Sequence, residues 1–302
     1  MRILDEHEID ALPLRPLIEA VRHHIAADAA ARAVAPPRHV VHFGDGDLVF
    51  TIGGDESVAG FRAYQTFAKP GHPADDQVIA VWERATGELL GLAVGNRLGA
   101  LRTGCIGAVA IDTMASRSAK VLAVLGTGRQ AETQLLGATA VRAFDEIRIF
   151  GRREEALRSF VDRLSPRIGR PLVALNDPRA AVSDADVVIL ATTSTVPIID
   201  PAWLSPKAHV TTIGPKSKAE HEFPLELGLR ARHIATDSPQ QIASMGGDHL
   251  LAGTGAYDRI AHLGNLIGRF DPDADRGLTL FLSTGLAGTE VACLRAALMH
   301  SP

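Results

Sequence analysis

Residues 120–134 read KVLAVLGTGRQAETQ: an apolar run meets Gly126-Thr127-Gly128 and then turns helix-like. Gly126-x-Gly128-x-x-Ala131 is a strand–turn–helix fingerprint. Its first glycine makes a tight turn, its second lets backbone approach a pyrophosphate, and its small third residue lets the helix pack on the strand. The new helix offers unpaired N–H groups and the positive end of its dipole to phosphates. Alone such a loop is a weak signal, because glycine-rich turns are common. Here a second apolar strand, EIRIFGR at 146–152, arrives about twenty residues later, which is the interval of a βαβ unit. Dinucleotide binding follows. The fingerprint nevertheless starts about 120 residues into a 302-residue chain, so another domain must precede it.

The texture of the chain changes at the same place. Residues 14–34 carry apolar positions at helical spacing and end at the breaker Pro36-Pro37. The runs RHVVHF, DLVFTIG, GFRAYQTF, QVIAVWER and ELLGLAVG then follow, separated by Gly, Pro, Asp and Asn. They predict a mostly antiparallel sheet. Residues 99–115, rich in Ala and Gly, predict a closely packed helix. From 120 the pattern becomes strand–helix–strand, with KVLAVLG, EIRIFGR, ADVVILATT, HVTTIG and HIATDS as strands of a doubly wound parallel sheet. TLFLSTG is a further strand and LAGTEVACLRAALMH an amphipathic helix. The fold class is therefore α/β: an N-terminal antiparallel-sheet α+β domain and a Rossmann-type domain. The expected boundaries are 1–115 with the C-terminal helix 286–302 for substrate binding and dimerisation, and 116–285 for the dinucleotide.

Composition narrows the function. A net charge of −4 with no basic run leaves no electrostatic case for nucleic acid. No apolar run reaches the roughly 18 residues of a membrane span, and the acidic N-terminus does not read as a signal peptide. Cys105 and Cys293 lie in apolar surroundings, as reduced core thiols do, and the histidines lack metal-ligand spacing. A cytoplasmic protein without metal is expected.

The end of the second strand speaks to the cofactor. NAD sites usually place an acidic residue there for the ribose hydroxyls. This chain has Gly151-Arg152-Arg153, with acidic residues only from Glu154. Arginine forks suit a 2′-phosphate, which favours NADP(H), with NAD(H) as the alternative.

A set of motifs in fixed order goes further: Pro37-Arg38, Gly60-Phe61-Arg62, Ala100-Leu101-Arg102-Thr103, the GTGRQA loop, ATTST at 191–195, Ile213 to Glu222, and STGLA at 283–287. In this order the chain resembles the ornithine cyclodeaminase/mu-crystallin family over nearly its whole length. The resemblance implies a dimer-forming N-terminal domain followed by a nicotinamide-binding one. It implies that Arg38 and Arg102 hold a substrate carboxylate. It places Thr103, Gly126, Thr127, Gly128, Arg129 and Gln130 at the cofactor. The same holds for Gly151, Thr192, Thr193, Ser194, Ile213, Ser283 and Gly285.

Two positions depart from the family. Where members carry a lysine as proton-transfer group, this chain has Arg62, which effectively never loses its proton. Where cyclodeaminases have an aspartate for the side-chain amine, it has Lys216, and one ammonium repels another. Lys216 either takes over proton transfer or binds an anionic group; a one-residue slip of the alignment would bring Ser217 there instead. Lys69, in FAKPGHP, is a further candidate for the missing amine. The catalytic candidates are thus Arg62 and Lys216, with Arg38, Arg102 and Lys69 for substrate. The reading is an NAD(P)-dependent oxidoreductase of a small imino or keto acid, or of an amino acid. Ornithine cyclodeaminase is the alternative, and a dinucleotide-binding protein with little catalysis is the other. The expected partners are a small carboxylate and a second copy of the chain.

Overall fold

The computed structural model describes residues 1–67, 77–274 and 277–301; Lys69 lies outside them. The chain divides into two compact units, Met1–Ile106 with Gly285–Pro302, and Gly107–Thr284.

In the first unit β1 (Arg2–Leu4) leads into α1 (Glu6–Asp10), and α2 (Leu14–Ala29) follows. A reciprocal capping box starts α1: Asp5 accepts from the Glu8 N–H, and the Glu8 carboxylate accepts from the Asp5 N–H. The five β-prone runs become β2 (His39–His42), β3 (Asp47–Gly54), β4 (Val58–Gln65), β5 (Gln77–Glu83) and β6 (Leu89–Val94), each antiparallel to the next. Beyond the expected strands, β1 joins β6 in parallel, giving the order β1-β6-β5-β4-β3-β2. One face of the sheet is covered by the C-terminal helix Thr289–His300, which also packs on α2. Gly60 permits that approach, since a Cβ there would meet the Ala80 carbonyl at 2.1 Å and Val291 at 3.0 Å. α3 (Arg97–Met114) comes next, and the two units part inside it, between Ile106 and Gly107, rather than after residue 115. Its second half packs on the helix after the glycine loop: a Cβ at Gly107 would strike the Gln134 side chain at 1.9 Å.

The second unit runs β7 (Val121–Leu125), α4 (Arg129–Val141), β8 (Glu146–Phe150), α5 (Glu154–Ile168), β9 (Val173–Leu175), α6 (Pro178–Val182), β10 (Val187–Leu190) and β11 (His209–Thr212). It continues through α7 (Leu225–Arg230), β12 (His233–Thr236), α8 (Pro239–Ser244), β13 (Ile260–His262), α9 (Leu263–Leu266) and β14 (Thr279–Leu282), and α10 (Thr289–His300) returns to the first unit. All eight strands are parallel, in the order β13-β12-β14-β11-β10-β7-β8-β9. Alternate residues feed two apolar clusters: Ala123, Leu125, Val188 and Leu190 on one face, and Leu122, Val124, Val187 and Ile189 on the other. That double burial is why these strands read as unbroken apolar runs. Truncating Ile189 to alanine would cost about 2–5 kcal/mol. Two strands escape the sequence pattern, β9 and β13, each three residues long and each at a sheet edge. β14 is last in sequence yet inserts between β11 and β12.

Candidate functional site

Within the second unit the strand order reverses between β7 and β10, and ligands of such sheets bind beyond the carboxyl ends of the strands at that point. A cavity of about 710 Å³ lies there, lined by Gly126, Thr127 and Gly128 after β7, Gly151, Arg152 and Arg153 after β8, and Thr192, Thr193 and Ser194 after β10. The two glycines of the loop serve different ends. Gly126 sits at φ +127°, and a Cβ there would lie 2.2 Å from the Ala191 carbonyl. Gly128 has nothing within 4 Å of its would-be Cβ, so its face is open for a phosphate to approach. α4 begins at Gly128 with no side-chain cap, and its first-turn Glu132 is engaged by Arg163. An uncapped helix start beside an open glycine fits a dinucleotide pyrophosphate. Arg152 and Arg153 are exposed and make no ion pair or side-chain hydrogen bond among the described residues.

A buried carboxylate shapes the β10 side of this cavity. Glu222 is fully buried and accepts from the N–H groups of Thr192 (3.0 Å), Ile213 (3.0 Å) and Gly214 (2.5 Å), and from the Thr192 hydroxyl (3.0 Å). One side chain therefore ties the loop after β10 to the end of β11. Beside it Lys216, 6% exposed, donates from Nζ to the Gly214 carbonyl at 2.7 Å. Burial pulls its pKa down to about 8, against the pull of Glu222 and Asp237. Burial and the charge of Lys216 together hold His249 neutral, with a pKa lowered to about 4. Ser217, the alternative of a shifted alignment, instead closes a local turn by donating to the Glu220 carbonyl.

The arginines of the first unit form a second cluster. Arg62 on β4 donates from Nε to Gln77 at 2.7 Å and from Nη1 to Glu290 Oε1 at 3.2 Å, and its guanidinium lies 4.3 Å from the centre of the Tyr64 ring. Arg102 on α3 reaches the same Glu290 oxygen from Nη2 at 3.0 Å. Both Nε and Nη1 of Arg102 are buried without a hydrogen-bond partner among the described residues. Glu290, on α10, is 1% exposed. Burial opposes its ionisation, but Arg102 and Arg62 outweigh it and its pKa lies below the usual carboxylate range. Burial and the neighbouring Arg102 lower the pKa of Arg62 while Glu290 raises it, and a guanidinium stays charged under such shifts. Register extends the cluster along the sheet: Arg62 pairs with Thr51, and His39 pairs with Phe50 one step on. Arg38, one residue before β2, thus falls in line with Thr51 and Arg62, about 10 Å from Arg62 at ordinary strand spacing. Arg38 is exposed, and the buried Thr51 hydroxyl has no partner.

Several expected cofactor residues lie outside the lining of the cavity. Arg129 and Gln130 begin α4, Ile213 packs against the core, and Ser283 lies beside β11, its N–H on the Thr212 carbonyl. Thr103 donates to the Gly99 carbonyl one turn back, and a Cβ at Gly285 would lie 3.1 Å from Arg102 Nη1. Conversely, Val196 lines the cavity, as does Thr195 at the end of the ATTST motif, and Thr51, Gln77 and Glu290, none of them a candidate from sequence, join the arginines. Glu290 left a legible signal, a lone carboxylate within the apolar run of α10; such a charge is buried only when paired.

The model of the ornithine cyclodeaminase/mu-crystallin family matches residues 4–298. The Delta(1)-pyrroline-2-carboxylate reductase of Bacillus cereus is 28% identical over 220 residues, 71% of this chain and 67% of its own. The alanine dehydrogenase of Archaeoglobus fulgidus is 27% identical over 302 residues, 96% of this chain and 92% of its own. Among solved structures, the iminosuccinate reductase of Paracoccus denitrificans in complex with NAD+ superposes with a TM-score of 0.87 at 26% identity, covering 99% of this chain and 95% of that one. A match that spans all but the extreme ends carries one conclusion: the protein belongs to the ornithine cyclodeaminase/mu-crystallin family.

Proposed function

We propose that the protein is a nicotinamide-dependent oxidoreductase that reduces a small imino or keto acid, or runs the reverse oxidation of an amino acid. The observation that carries this reading is Arg102, a buried guanidinium whose Nε and Nη1 lack partners among the described residues, beside a second, largely buried arginine. Such an arrangement offers a carboxylate charge-assisted hydrogen bonds. Pyrroline-2-carboxylate and alanine, named for two relatives, each carry a carboxylate on the carbon that bears nitrogen. The residues of the cavity that would hold the dinucleotide are Gly126 and Gly128 at the pyrophosphate and Arg152 with Arg153 at the adenosine ribose. Bound there, a reduced nicotinamide supplies a hydride to carbon.

The chain must supply the proton. Arg102 fixes the carboxylate, and Arg62 adds permanent positive charge but no proton. Lys216, whose pKa near 8 leaves it exchangeable at neutral pH, is the proton donor in this reading. A panel of cyclic ketimines, and of 2-oxo acids with ammonia or amines, should consume the reduced cofactor; no turnover across it would overturn the assignment. Tight dinucleotide binding with no turnover would favour the binding-protein reading. Proline and ammonia from ornithine, with no net change in cofactor, would establish the cyclodeaminase reading instead. The buried ammonium of Lys216 argues against that reading.

For the cofactor we favour NADP(H), because the two arginines at the cavity rim have no acidic partner. Equal affinity for NAD and NADP, unchanged by Arg152→Ala, would remove that preference. A homodimer is supported by the face of the six-stranded sheet that no helix of the described residues is seen to cover. Ile3, Leu92, Ala80, Phe61 and Ile52 form one continuous apolar row across it, and Val94, Val78, Ala63 and Phe50 the next. Ile52 is 55% exposed and Val78 40%. Rows of this kind on a soluble chain mark an interface. A cytoplasmic location fits the two free buried thiols, and no helix of the described residues is long and apolar enough to cross a membrane.

A further inference from the structure

Glu290 raises a question about the carboxylate site, because the two arginines already hold a carboxylate of the chain itself. Arg62 donates to one oxygen, Oε1, at 3.2 Å, and Nη2 of Arg102 forms an ion pair with the same oxygen at 3.0 Å. The other oxygen lies 3.4 Å from the hydroxyl of Thr289, which donates to the Leu286 carbonyl at 2.6 Å. A substrate carboxylate has two ways in. It either expels Glu290 and takes its place, or binds beside it on the Arg102 donors that Glu290 leaves free.

The packing opposes expulsion. Glu290 is 1% exposed and sits in the first turn of α10, between buried Thr289 and Val291. The turn before it is pinned: buried His24 bonds the Ala287 carbonyl at 2.9 Å, and a Cβ at Gly288 would meet the His24 ring at 2.6 Å. The charge count favours the second route as well. Two guanidiniums and one carboxylate leave a net charge of +1, which a single substrate carboxylate neutralises.

We propose that Glu290 is a positioning residue for carboxylate recognition. It accepts a hydrogen bond from Arg62 and pairs ionically with Nη2 of Arg102, and so holds the Arg102 guanidinium in place for the substrate's carboxylate. The inference rests on the proposed function, but its test does not require turnover.

Binding of L-proline and L-alanine, each against its carboxamide, is measured by calorimetry on the dinucleotide-loaded protein, for wild type, Glu290→Gln and Glu290→Asp. Wild type should prefer the acid. Glu290→Gln should lower the acid-to-amide preference by about tenfold, the worth of one misplaced charge-assisted hydrogen bond. Glu290→Asp keeps the charge and should recover part of that preference. If Glu290→Gln folds too poorly to assay, the shorter reach of Glu290→Asp should still lower the preference at least threefold, a rough figure for a weakened bond of this class. Tighter acid binding in Glu290→Gln would show that Glu290 competes with the substrate and would overturn the proposal. An unchanged preference in the variants, or no acid preference in wild type, would overturn it too. Acid binding that behaves as expected without turnover of any substrate would sink the proposed function and leave this inference standing.

Discussion

The two candidate sites solve the problem of holding an anion in opposite ways. The cavity of the parallel-sheet unit is built from absence: Gly126 and Gly128 have no side chains, α4 has no cap, and Arg152 and Arg153 stand exposed without partners. The arginine cluster of the antiparallel unit is built from presence, with Arg62, Arg102, Gln77 and Glu290 locked together out of solvent. A diphosphate brings its own charge and needs backbone N–H groups and room. A single small carboxylate must be held in one orientation for chemistry, and a preorganised buried guanidinium gives that orientation at little entropic cost. Exposed arginines in the first kind of site should therefore tune affinity, whereas buried arginines in the second should decide whether the reaction occurs.

The largest effect expected from that contrast is at Arg102. Arg102→Ala should lower kcat/KM by about a thousandfold, the loss of two charge-assisted hydrogen bonds, while dinucleotide affinity stays within a factor of about three. Steady-state kinetics beside a dinucleotide titration checks both, and a comparable loss of cofactor affinity would break the division of labour. Gly126→Ala should do the reverse. It places a Cβ against the Ala191 carbonyl at a positive φ, so dinucleotide affinity should fall about a hundredfold, with a lower Tm of the free protein.

Smaller effects sharpen the comparison. Arg152→Ala should lower the NADP-to-NAD affinity ratio by about tenfold, more at low salt than at high salt, because the site is exposed. For Lys216 the expectation is a pH limb. A depressed ammonium loses its proton as pH rises through about 8, so a rate that needs the protonated form should fall above that point. Lys216→Met should flatten the limb and lower the rate. Stability carries the opposite sign. Between about 8 and the ordinary value of 10.5 the unfolded chain binds more protons at this residue than the folded one, so its contribution to stability rises with pH there.

Much of the scaffold was legible because its signals are local. The glycine spacing of the loop, the doubly apolar strands β7, β10 and β11, and the alternating strands β3 to β6 each encode their environment within a few residues. What escaped the pattern was short or long-range. β9 and β13 have three residues each, too few for periodicity, and β1 is recognisable as a strand only through its parallel pairing with β6. Thr51 and Gln77 are unremarkable in sequence; they join Arg62 through cross-strand register and a diagonal contact.

The amino-acid sequence by itself determined the order of the two units, the dinucleotide cradle, the arginines at 62, 102, 152 and 153, and the family, since each rests on residue types at fixed spacings. Only the tertiary structure decided what charge those arginines see. Glu290 lies 228 residues from Arg62 in the chain and 3.2 Å away in space, and Arg152 and Arg153 meet no carboxylate among the described residues although Glu154 follows them directly. Electrostatic partnership depends on distance and burial, and neither is carried by position along the chain.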